Sequence, residues 1–161
     1  MRERAFAVLG DRVIDSRFLD LFAGTGSVGL EALSRGARSV VFVERHRSAA
    51  RLIEKNSAAF ELGSDRAELL VRPAVVAVGQ LAARGESFDI AWADPPFEIW
   101  SEGLEVVVKL FEEGLLNAGA LACLECPTKA DVAGSLPPAL EIIRDLTGSA
   151  SRVVMIEKAS R

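Results

Sequence analysis

The feature of this chain that most constrains its fold is an apolar run followed at once by a glycine-rich turn. Residues 18–22 read FLDLF, residues 23–29 read AGTGSVG, and an apolar periodic segment continues over residues 30–33. This order predicts a β-strand, a tight turn and the first turn of a helix. Such a unit is typical of α/β folds that bind nucleotide-like ligands at the carboxyl end of a parallel strand.

The glycine turn carries several position-specific predictions. Gly24 and Gly26 permit positive φ and allow a ligand to approach the backbone closely. Gly29 allows the helix to pack closely against the strand. Ser27 is the predicted N-cap, and Glu31 is expected nearby in the first helical turn. A tight turn that binds no ligand is the alternative interpretation.

The charges beside the turn distinguish between kinds of nucleotide ligand. Glu44 ends the next apolar run, residues 39–43, at a distance from the glycines where an acidic side chain can bind both ribose hydroxyls. A pyrophosphate would need a free helix N-terminus, whereas Asp20 and Glu31 flank the turn with negative charge. Carboxylates instead suit a cationic amino-acid end, as in S-adenosylmethionine, which has an ammonium, a sulfonium and a ribose but no phosphate. We therefore expect a methyl-donor site, with an NAD site as the alternative.

A second motif, DPPF at residues 94–97, follows the apolar run 89–93. Two prolines remove two backbone donors and fix two φ angles, so this segment is predicted to be a stiff turn. It holds the Asp94 carboxylate close to the aromatic face of Phe97. A planar ring with an exocyclic amine fits this arrangement, with its –NH2 group donating to Asp94 and to the carbonyl of Pro95. The alternative is an ordinary loop that contains two prolines.

This arrangement of Asp94 through Phe97 suggests methyl transfer to an aromatic amine by in-line displacement. Hydrogen bonds from the amine favour a more tetrahedral nitrogen and stabilise the positive charge that develops on it. The proton can leave after transfer, so no strong base is needed. Phe97 would stack on a base that has swung out of its helix or loop. The predicted catalytic residues are therefore Asp94, Pro95, Pro96 and Phe97.

The rest of the chain alternates predicted strands and helices without a linker or repeat. Strands are expected near residues 18–22, 39–43, 67–71, 88–92 and 119–124, and helices near 2–9, 27–35, 46–60, 74–83 and 102–114. Residues 140–146 and 153–157 read as a closing hairpin. We predict an α/β, Rossmann-like class I methyltransferase fold over residues 1–161, a single domain. Its mostly parallel seven-stranded sheet would end in an antiparallel hairpin, with helices on both faces.

Composition limits the possible partners. Half of the 161 residues are hydrophobic, yet no apolar run approaches the ~20 residues that span a bilayer, and no signal peptide is visible, so no membrane partner is expected. The net charge of −4 argues against nucleic acid, because neutralising phosphates drives most such binding. The arginines are nevertheless clustered unevenly, near residues 2–12, 35–38 and 45–47, which leaves room for a local basic patch.

Other candidate residues receive structural interpretations. Cys123 and Cys126 lie three apart in a strand-like run and should point to opposite faces, so we expect no metal and no redox role, and a reduced cytoplasmic protein. Trp92 is predicted to be core, whereas Trp100 either flanks the target pocket or covers apolar surface. Glu125, near the end of the fifth strand, is a candidate for the border of the pocket.

Taken together, these motifs resemble the bacterial RsmD-type methyltransferases over nearly the whole chain. The most specific segment is DLFAGTGSVGLEALSRGA at residues 20–37, and residues 2–9, 43–44 and 94–97 match the family's leading helix and its two other motifs. The resemblance implies S-adenosylmethionine as donor, with S-adenosylhomocysteine as product. It also implies the exocyclic N2 of a guanine in 16S ribosomal RNA as acceptor, in the 30S subunit or its assembly intermediate. The implied donor-binding residues are Asp20, Phe22, Gly24, Thr25, Gly26, Glu44, Arg45 and Ala74.

The chain departs from the family pattern in three places. The family normally has a basic strand pair before the first helix, whereas this sequence starts almost at that helix, so either the sequence is trimmed at its N-terminus or the protein lacks this RNA-gripping element. The position that usually offers an Asp to the adenine amino group is Ala74, so this contact is either lost or replaced by a backbone group. The family's Tyr-Gly reads Thr147-Gly148.

Two rival functions stay open at this point. An Asp-Pro-Pro-aromatic motif also suits the N6 amine of adenine in DNA or RNA. A non-catalytic domain that binds S-adenosylmethionine or S-adenosylhomocysteine and acts through a partner is the second alternative.

Overall fold

The computed structural model describes residues 1–60 and 65–160, which form one seven-stranded sheet and five α-helices. The predicted elements are confirmed, with boundaries that differ by a few residues. The strands are β1 (Arg17–Leu21), β2 (Ser39–Val43), β3 (Ala67–Leu70), β4 (Phe88–Ala93), β5 (Leu116–Pro127), β6 (Leu140–Thr147) and β7 (Ser151–Lys158). The helices are α1 (Arg2–Leu9), α2 (Ser27–Ser34), α3 (Arg47–Ala59), α4 (Ala74–Ala83) and α5 (Trp100–Glu112).

The strands follow the order β3-β2-β1-β4-β5-β7-β6 across the sheet. The first five are parallel, and β7 lies antiparallel between β5 and β6. The chain crosses from β1 outward to β2 and β3, then returns to place β4 on the other side of β1. This confirms the predicted α/β class with a C-terminal antiparallel hairpin, and it creates a switch point beside β1 where ligands bind in such folds.

Alternate residues of each central strand enter two separate hydrophobic cores, one on each face of the sheet. Helices α4 and α5 pack on one face and form the α4–α5 core with residues such as Leu19 and Leu21. Helices α1, α2 and α3 cover the other face and form the α1–α3 core. Trp92 is fully buried there and stacks on Phe6 with ring centroids 5.9 Å apart, which confirms its predicted place in the core. Among the described residues, no helix is long and apolar enough to cross a membrane.

Two local predictions about the start of α2 are wrong. Ser27 is not the N-cap of α2, because Gly26 occupies that position in the left-handed region at φ 83°, without a side-chain cap. Glu31 lies beyond the first turn and pairs with Arg35 at 3.5 Å. Strand β5 begins at Leu116, before the predicted start, and its pairing with β4 shifts register close to the strand start.

The prediction for Gly29 agrees with the packing of α2. A Cβ at this position would overlap the ring of Phe42 and lie 2.8 Å from Cγ1 of Val40. Both contacted side chains belong to β2. A residue larger than glycine would therefore force α2 away from the sheet and move the turn that precedes it.

Candidate active site

A cavity of about 930 Å³ opens at the carboxyl edge of the sheet, beside the switch point. The glycine turn forms one part of its wall, and the segment 94–97 forms another. Helices α4 and α5 close the far side. The cavity therefore brings together most of the residues that the sequence predicted for the site, namely Phe22, Gly24, Glu44, Arg45, Ala74, Asp94, Pro95, Pro96 and Phe97.

Glu44 is fixed in this cavity by two backbone hydrogen bonds. Its Oε1 accepts from the Gly24 N–H at 2.9 Å, and its Oε2 accepts from the His46 N–H at 2.7 Å. The residue is only 6% exposed. A carboxylate offers about four lone-pair sites, so two acceptor sites stay available in a residue that lines the cavity. This carboxylate can accept hydrogen bonds from a pair of neighbouring hydroxyls.

An unusual backbone turn connects β1 to this carboxylate. Phe22 adopts φ 55° and Gly24 φ 59°. A bulky residue at positive φ is uncommon, and such conformations cluster at functional sites. The Ala23 N–H donates to the Val43 carbonyl at 2.9 Å, so the turn is tied to the end of β2. The strained turn thereby places the Gly24 N–H against Glu44 and the Phe22 side chain on the cavity wall.

Three residues predicted to bind the donor do not line this cavity: Asp20, Thr25 and Gly26. Thr25 is exposed on the outer side of the turn. Gly26 is buried under Ile53, whose Cγ1 would lie 3.1 Å from a Cβ at this position. Direct contact of Thr25 and Gly26 with a ligand is therefore not supported by their placement.

Asp20 lies beneath the glycine turn instead of beside a ligand. It is 1% exposed, and its Oδ2 accepts a hydrogen bond from the Gly29 N–H at 2.9 Å. Burial raises its pKa to about 8; the Gly29 N–H opposes this rise, and the carboxylates of Asp94 and Glu44 add to it. The placement corrects the expectation that Asp20 faces the cationic end of a ligand: it positions α2 below the turn.

The position of the family's adenine-binding Asp is the first residue of α4. Ala74 lines the cavity, and Pro73 precedes it as the N-cap. The backbone N–H groups of Ala74 and Val75 make no hydrogen bond within residues 1–60 and 65–160, as expected at a helix start. Of the two options open from the sequence, a backbone group in place of the Asp side chain fits this geometry.

The segment 94–97 leaves β4 as a rigid corner. Pro95 is buried against α5, where a Cβ at Gly103 would overlap the Pro95 ring. Phe97 is 41% exposed and presents its ring at the cavity. Solvent reaches Asp94 through the mouth of the cavity, but the surrounding protein still raises its pKa to about 7, mainly by desolvation and secondly through the Glu125 carboxylate. Asp94 is therefore an acceptor whose charge changes near neutral pH.

Sequence reasoning missed the wall that α5 contributes to the cavity. The α5 residues that line the cavity recur three or four positions apart, and this spacing would have indicated one helical face pointing toward the site. Trp100 does not line the cavity and packs instead against the α4–α5 core, which decides between its two interpretations. The missed wall residues are Glu102, Glu105, Val106 and Lys109, and Arg72 lines the cavity from the loop before α4.

The two cysteines lie outside the site. Cys123 belongs to the α1–α3 core and Cys126 to the α4–α5 core, so they face opposite sides of the sheet as predicted. Burial raises the pKa of Cys123 to about 12 and, with smaller contributions from neighbouring charges, that of Cys126 to about 11. Both thiols are therefore protonated at neutral pH.

Comparisons with known proteins bear on this site. The chain is 35% identical over 142 residues to ribosomal RNA small subunit methyltransferase D of Escherichia coli K12, covering 85% of this chain and 64% of that protein. The Haemophilus influenzae protein of the same name is 32% identical over 125 residues, covering 78% and 64%. The chain thus spans somewhat less than two thirds of these relatives.

A solved structure and a family model give two further matches to this chain. A conserved hypothetical protein from Streptococcus pyogenes superposes with a TM-score of 0.84 at 28% identity, covering 97% of this chain and 94% of that one. The model of the family described as conserved hypothetical protein 95 matches residues 1–157. The chain therefore belongs to the conserved hypothetical protein 95 family, which confirms its resemblance to the RsmD-type proteins.

Proposed function

We propose that this chain transfers a methyl group from S-adenosylmethionine to the exocyclic N2 of a guanine in small-subunit ribosomal RNA. The observation that carries the proposal is that two acceptors line the same cavity. Glu44, held by two backbone hydrogen bonds, can accept from ribose hydroxyls, and Asp94 can accept from an amine. The names of the Escherichia coli and Haemophilus influenzae relatives, ribosomal RNA small subunit methyltransferase D, support the choice of RNA.

The cavity residues fit the chemical groups of this donor. Glu44 has acceptor sites for the two ribose hydroxyls. The free N–H groups at the start of α4 can donate to ring nitrogens of adenine, which accept hydrogen bonds. The Phe22 ring offers apolar contact on the same wall. When bound, the donor supplies an electrophilic methyl group on a sulfonium, which is the reactive part of the chemistry.

The protein's own contribution is to position and polarise the amine. Asp94 and the Pro95 carbonyl would each accept one N–H of the target –NH2, which directs the nitrogen lone pair away from them. As the N–C bond forms and the S–CH3 bond of the donor breaks to leave a neutral thioether, positive charge would develop on nitrogen, and the Asp94 carboxylate would stabilise it. The surplus N–H proton then passes to Asp94 or to water. Pro95 is held rigid by α5, so the two acceptors keep a fixed spacing.

Phe97 would hold the base in this geometry. A half-exposed aromatic ring beside an amine acceptor suits a base that has left its stack, and stacking of this kind is worth about 1–3 kcal/mol. Arg45, His46 and Arg72 line the same cavity and can attract RNA phosphates in a chain whose net charge is −4. We propose the 30S subunit or its assembly intermediate as the physiological substrate, and hence a cytoplasmic protein.

We further propose that residues 1–161 act as one methyltransferase domain. The first test is calorimetry with S-adenosylhomocysteine, followed by transfer of labelled methyl groups to undermethylated 30S particles, free 16S RNA and DNA. Nucleoside mass spectrometry should then identify N2-methylguanosine in the RNA. N6-methyladenosine would support the adenine alternative, and binding without any transfer would support a non-catalytic domain.

A further inference from the structure

Three acidic residues lie toward the carboxyl edge of the sheet: two directly follow β2 and β4, and the third lies inside β5, two residues before its end. Two residues before each acidic position lies a residue of the α1–α3 core. If the strand alternation is continued by one residue past the ends of β2 and β4, all three acidic positions fall on the same side of the sheet. The core residues are Phe42 of β2, Trp92 of β4 and Cys123 of β5, and the acidic residues that follow them are Glu44, Asp94 and Glu125.

The register of β4 and β5 places Glu125 beside Asp94. Ala93 pairs with Leu124 in this parallel ladder, so Asp94 and Glu125 are the next residues on their two strands. Neighbouring strands lie about 4.8 Å apart. In agreement with this proximity, the charge of Glu125 contributes to the raised pKa of Asp94. Glu125 therefore lies one strand beyond Asp94, on the side away from Glu44.

Glu125 is also held in place by the last strand. The Ser151 hydroxyl, at the start of β7, donates to Oε1 of Glu125 at 3.1 Å. Its Oε2 makes no hydrogen bond within the described part of the chain, and the residue is half-buried. One oxygen is thus fixed by the protein and the other makes no such bond. Glu125 is not among the residues that line the cavity and lies beside it, next to Asp94.

The strand order sets a direction across the site. Glu44, the proposed acceptor for the ribose hydroxyls, follows β2. Asp94, the proposed acceptor for the amine, follows β4, and Glu125 lies on β5. For a base that presents its amine to Asp94, with the methyl donor on the Glu44 side, β5 is the next strand on the opposite side of Asp94. Glu125 is the carboxylate next to Asp94 on that side, where it can meet a ring position that adjoins the amine.

Two neighbouring carboxylates select a ligand that presents two neighbouring donors. Guanine does so, because its N2 amine adjoins the N1–H group. Adenine does not, because its N6 amine adjoins N1 as an unprotonated acceptor, whose lone pair would face a negative charge. We propose that Glu125 accepts a hydrogen bond from the N1–H of the target guanine while Asp94 accepts from N2, and so makes the site specific for guanine. This inference rests on the proposed methyl transfer to guanine N2.

The test uses 2-aminopurine, which keeps the N2 amine, replaces N1–H with a lone pair and lacks O6. The variants below therefore assign the part of its effect that depends on Glu125. The guanine that the wild-type protein methylates is mapped first, and RNA carrying 2-aminopurine at that position is then prepared. For the wild type we expect kcat/KM for 2-aminopurine to be at least about 100-fold below that for guanine. In Glu125→Gln the amide can donate to the N1 lone pair, so this ratio should fall below about 10-fold.

Two further variants make the result interpretable. Glu141→Gln removes another half-buried glutamate, on the distant strand β6, and should keep the wild-type ratio. Ser151→Ala removes the hydrogen bond to Glu125 without changing its charge. It should reduce the ratio of kcat/KM for guanine to that for 2-aminopurine by a few-fold. This variant keeps the inference testable if Glu125→Gln does not fold. Affinity for S-adenosylhomocysteine should stay unchanged in all three variants.

The outcomes separate the two proposals. If the wild type methylates guanine but Glu125→Gln and Ser151→Ala keep its preference over 2-aminopurine, the role of Glu125 is refuted while the proposed function stands. If the wild type methylates no guanine in any RNA, the proposed function fails and the assignment of Glu125 fails with it.

Discussion

The carboxyl group of Asp20 on β1 accepts a hydrogen bond from the Gly29 N–H in the first turn of α2, at 2.9 Å. The first amides of a helix have no partner within it, so a side chain from a different element acts here as the cap that Ser27 does not provide. The bond joins the strand before the glycine turn to the helix after it. The shape of the turn therefore depends on a buried contact that lies outside the cavity.

Removing this acceptor should destabilise the protein. Asp20→Ala leaves the Gly29 N–H unpaired in a buried place, and we expect a loss of about 1–3 kcal/mol in the free energy of unfolding. Asp20→Asn retains an acceptor oxygen and should lose less. Urea unfolding followed by circular dichroism measures both variants. Equal stability of Asp20→Ala and the wild type would contradict the capping role.

The same carboxyl group should make stability depend on pH. The pKa of Asp20 is about 8 in the folded protein, against an ordinary value of 3.8 that applies to the unfolded chain. Between these values the folded state holds a proton that the unfolded state has lost, so stability falls as pH rises from about 4 to about 8. The slope from this group is at most about 1.4 kcal/mol per pH unit.

Asp20→Asn should flatten this dependence, because its amide does not titrate. Asp94, whose pKa is also raised, acts in the same direction, so Asp94→Asn serves as the comparison variant. Urea midpoints measured from pH 5 to 8 test the prediction. A wild-type stability that increases over this range would show the assigned direction to be incorrect.

Two glycines inside helices should give opposite changes in stability when each is replaced by alanine. Gly29→Ala places a methyl group into the Phe42 ring and should cost about 1–3 kcal/mol by overpacking. Gly79 lies in α4, and no atom comes within 4 Å of the position that a Cβ would take, so Gly79→Ala should gain up to about 1 kcal/mol from helix propensity. Thermal unfolding compares the two variants, and a destabilised Gly79→Ala with an unaffected Gly29→Ala would contradict the packing described.

Donor affinity should depend on Glu44. In Glu44→Gln an NH2 group replaces one oxygen and faces the N–H of Gly24 or His46, so the side chain can no longer satisfy both amides. We expect S-adenosylhomocysteine to bind at least about 10-fold more weakly, a loss of about 1.4 kcal/mol. Calorimetry provides the measurement, with exposed Glu54→Gln as the control. Unchanged affinity would remove Glu44 from the donor site.

Turnover should follow the ionisation of Asp94. The charged carboxylate accepts from the amine, whereas the protonated form has less acceptor capacity, so kcat/KM should rise with pH and level off above about pH 7. Replacing Glu125 with Gln removes a charge that raises the pKa of Asp94, so the rise should shift to lower pH. A profile that is flat from pH 5.5 to 8 would be inconsistent with this role.

Asp94→Ala should separate chemistry from donor binding. Loss of the acceptor should reduce turnover by about 100-fold or more, in the range seen when one stabilising group for transition-state charge is removed. Affinity for S-adenosylhomocysteine should change little, because the ribose acceptor is a different residue. Reduced donor affinity with normal turnover by the bound enzyme would reverse this assignment.

The sequence predicted the strands, the hairpin and the two motifs because each depends on short-range pattern. Apolar runs mark strands that are covered on both faces, and DPPF fixes its own turn. The role of Asp20 was mispredicted because its partner, Gly29, is defined by the packing of α2 on the sheet. Likewise, the closeness of Glu125 to Asp94 follows from strand register, which no local pattern specifies.

The insertion of β7 between β5 and β6 has a consequence for how the protein emerges during translation. Until residues 151–158 leave the ribosomal exit tunnel, the backbone groups along one side of β5 have no partner, and Ser151 cannot reach Glu125. The residues that line the cavity run from Phe22 to Lys109, so they precede β7 along the chain. The hydroxyl that fixes Glu125 is thus synthesised after every residue that lines the cavity.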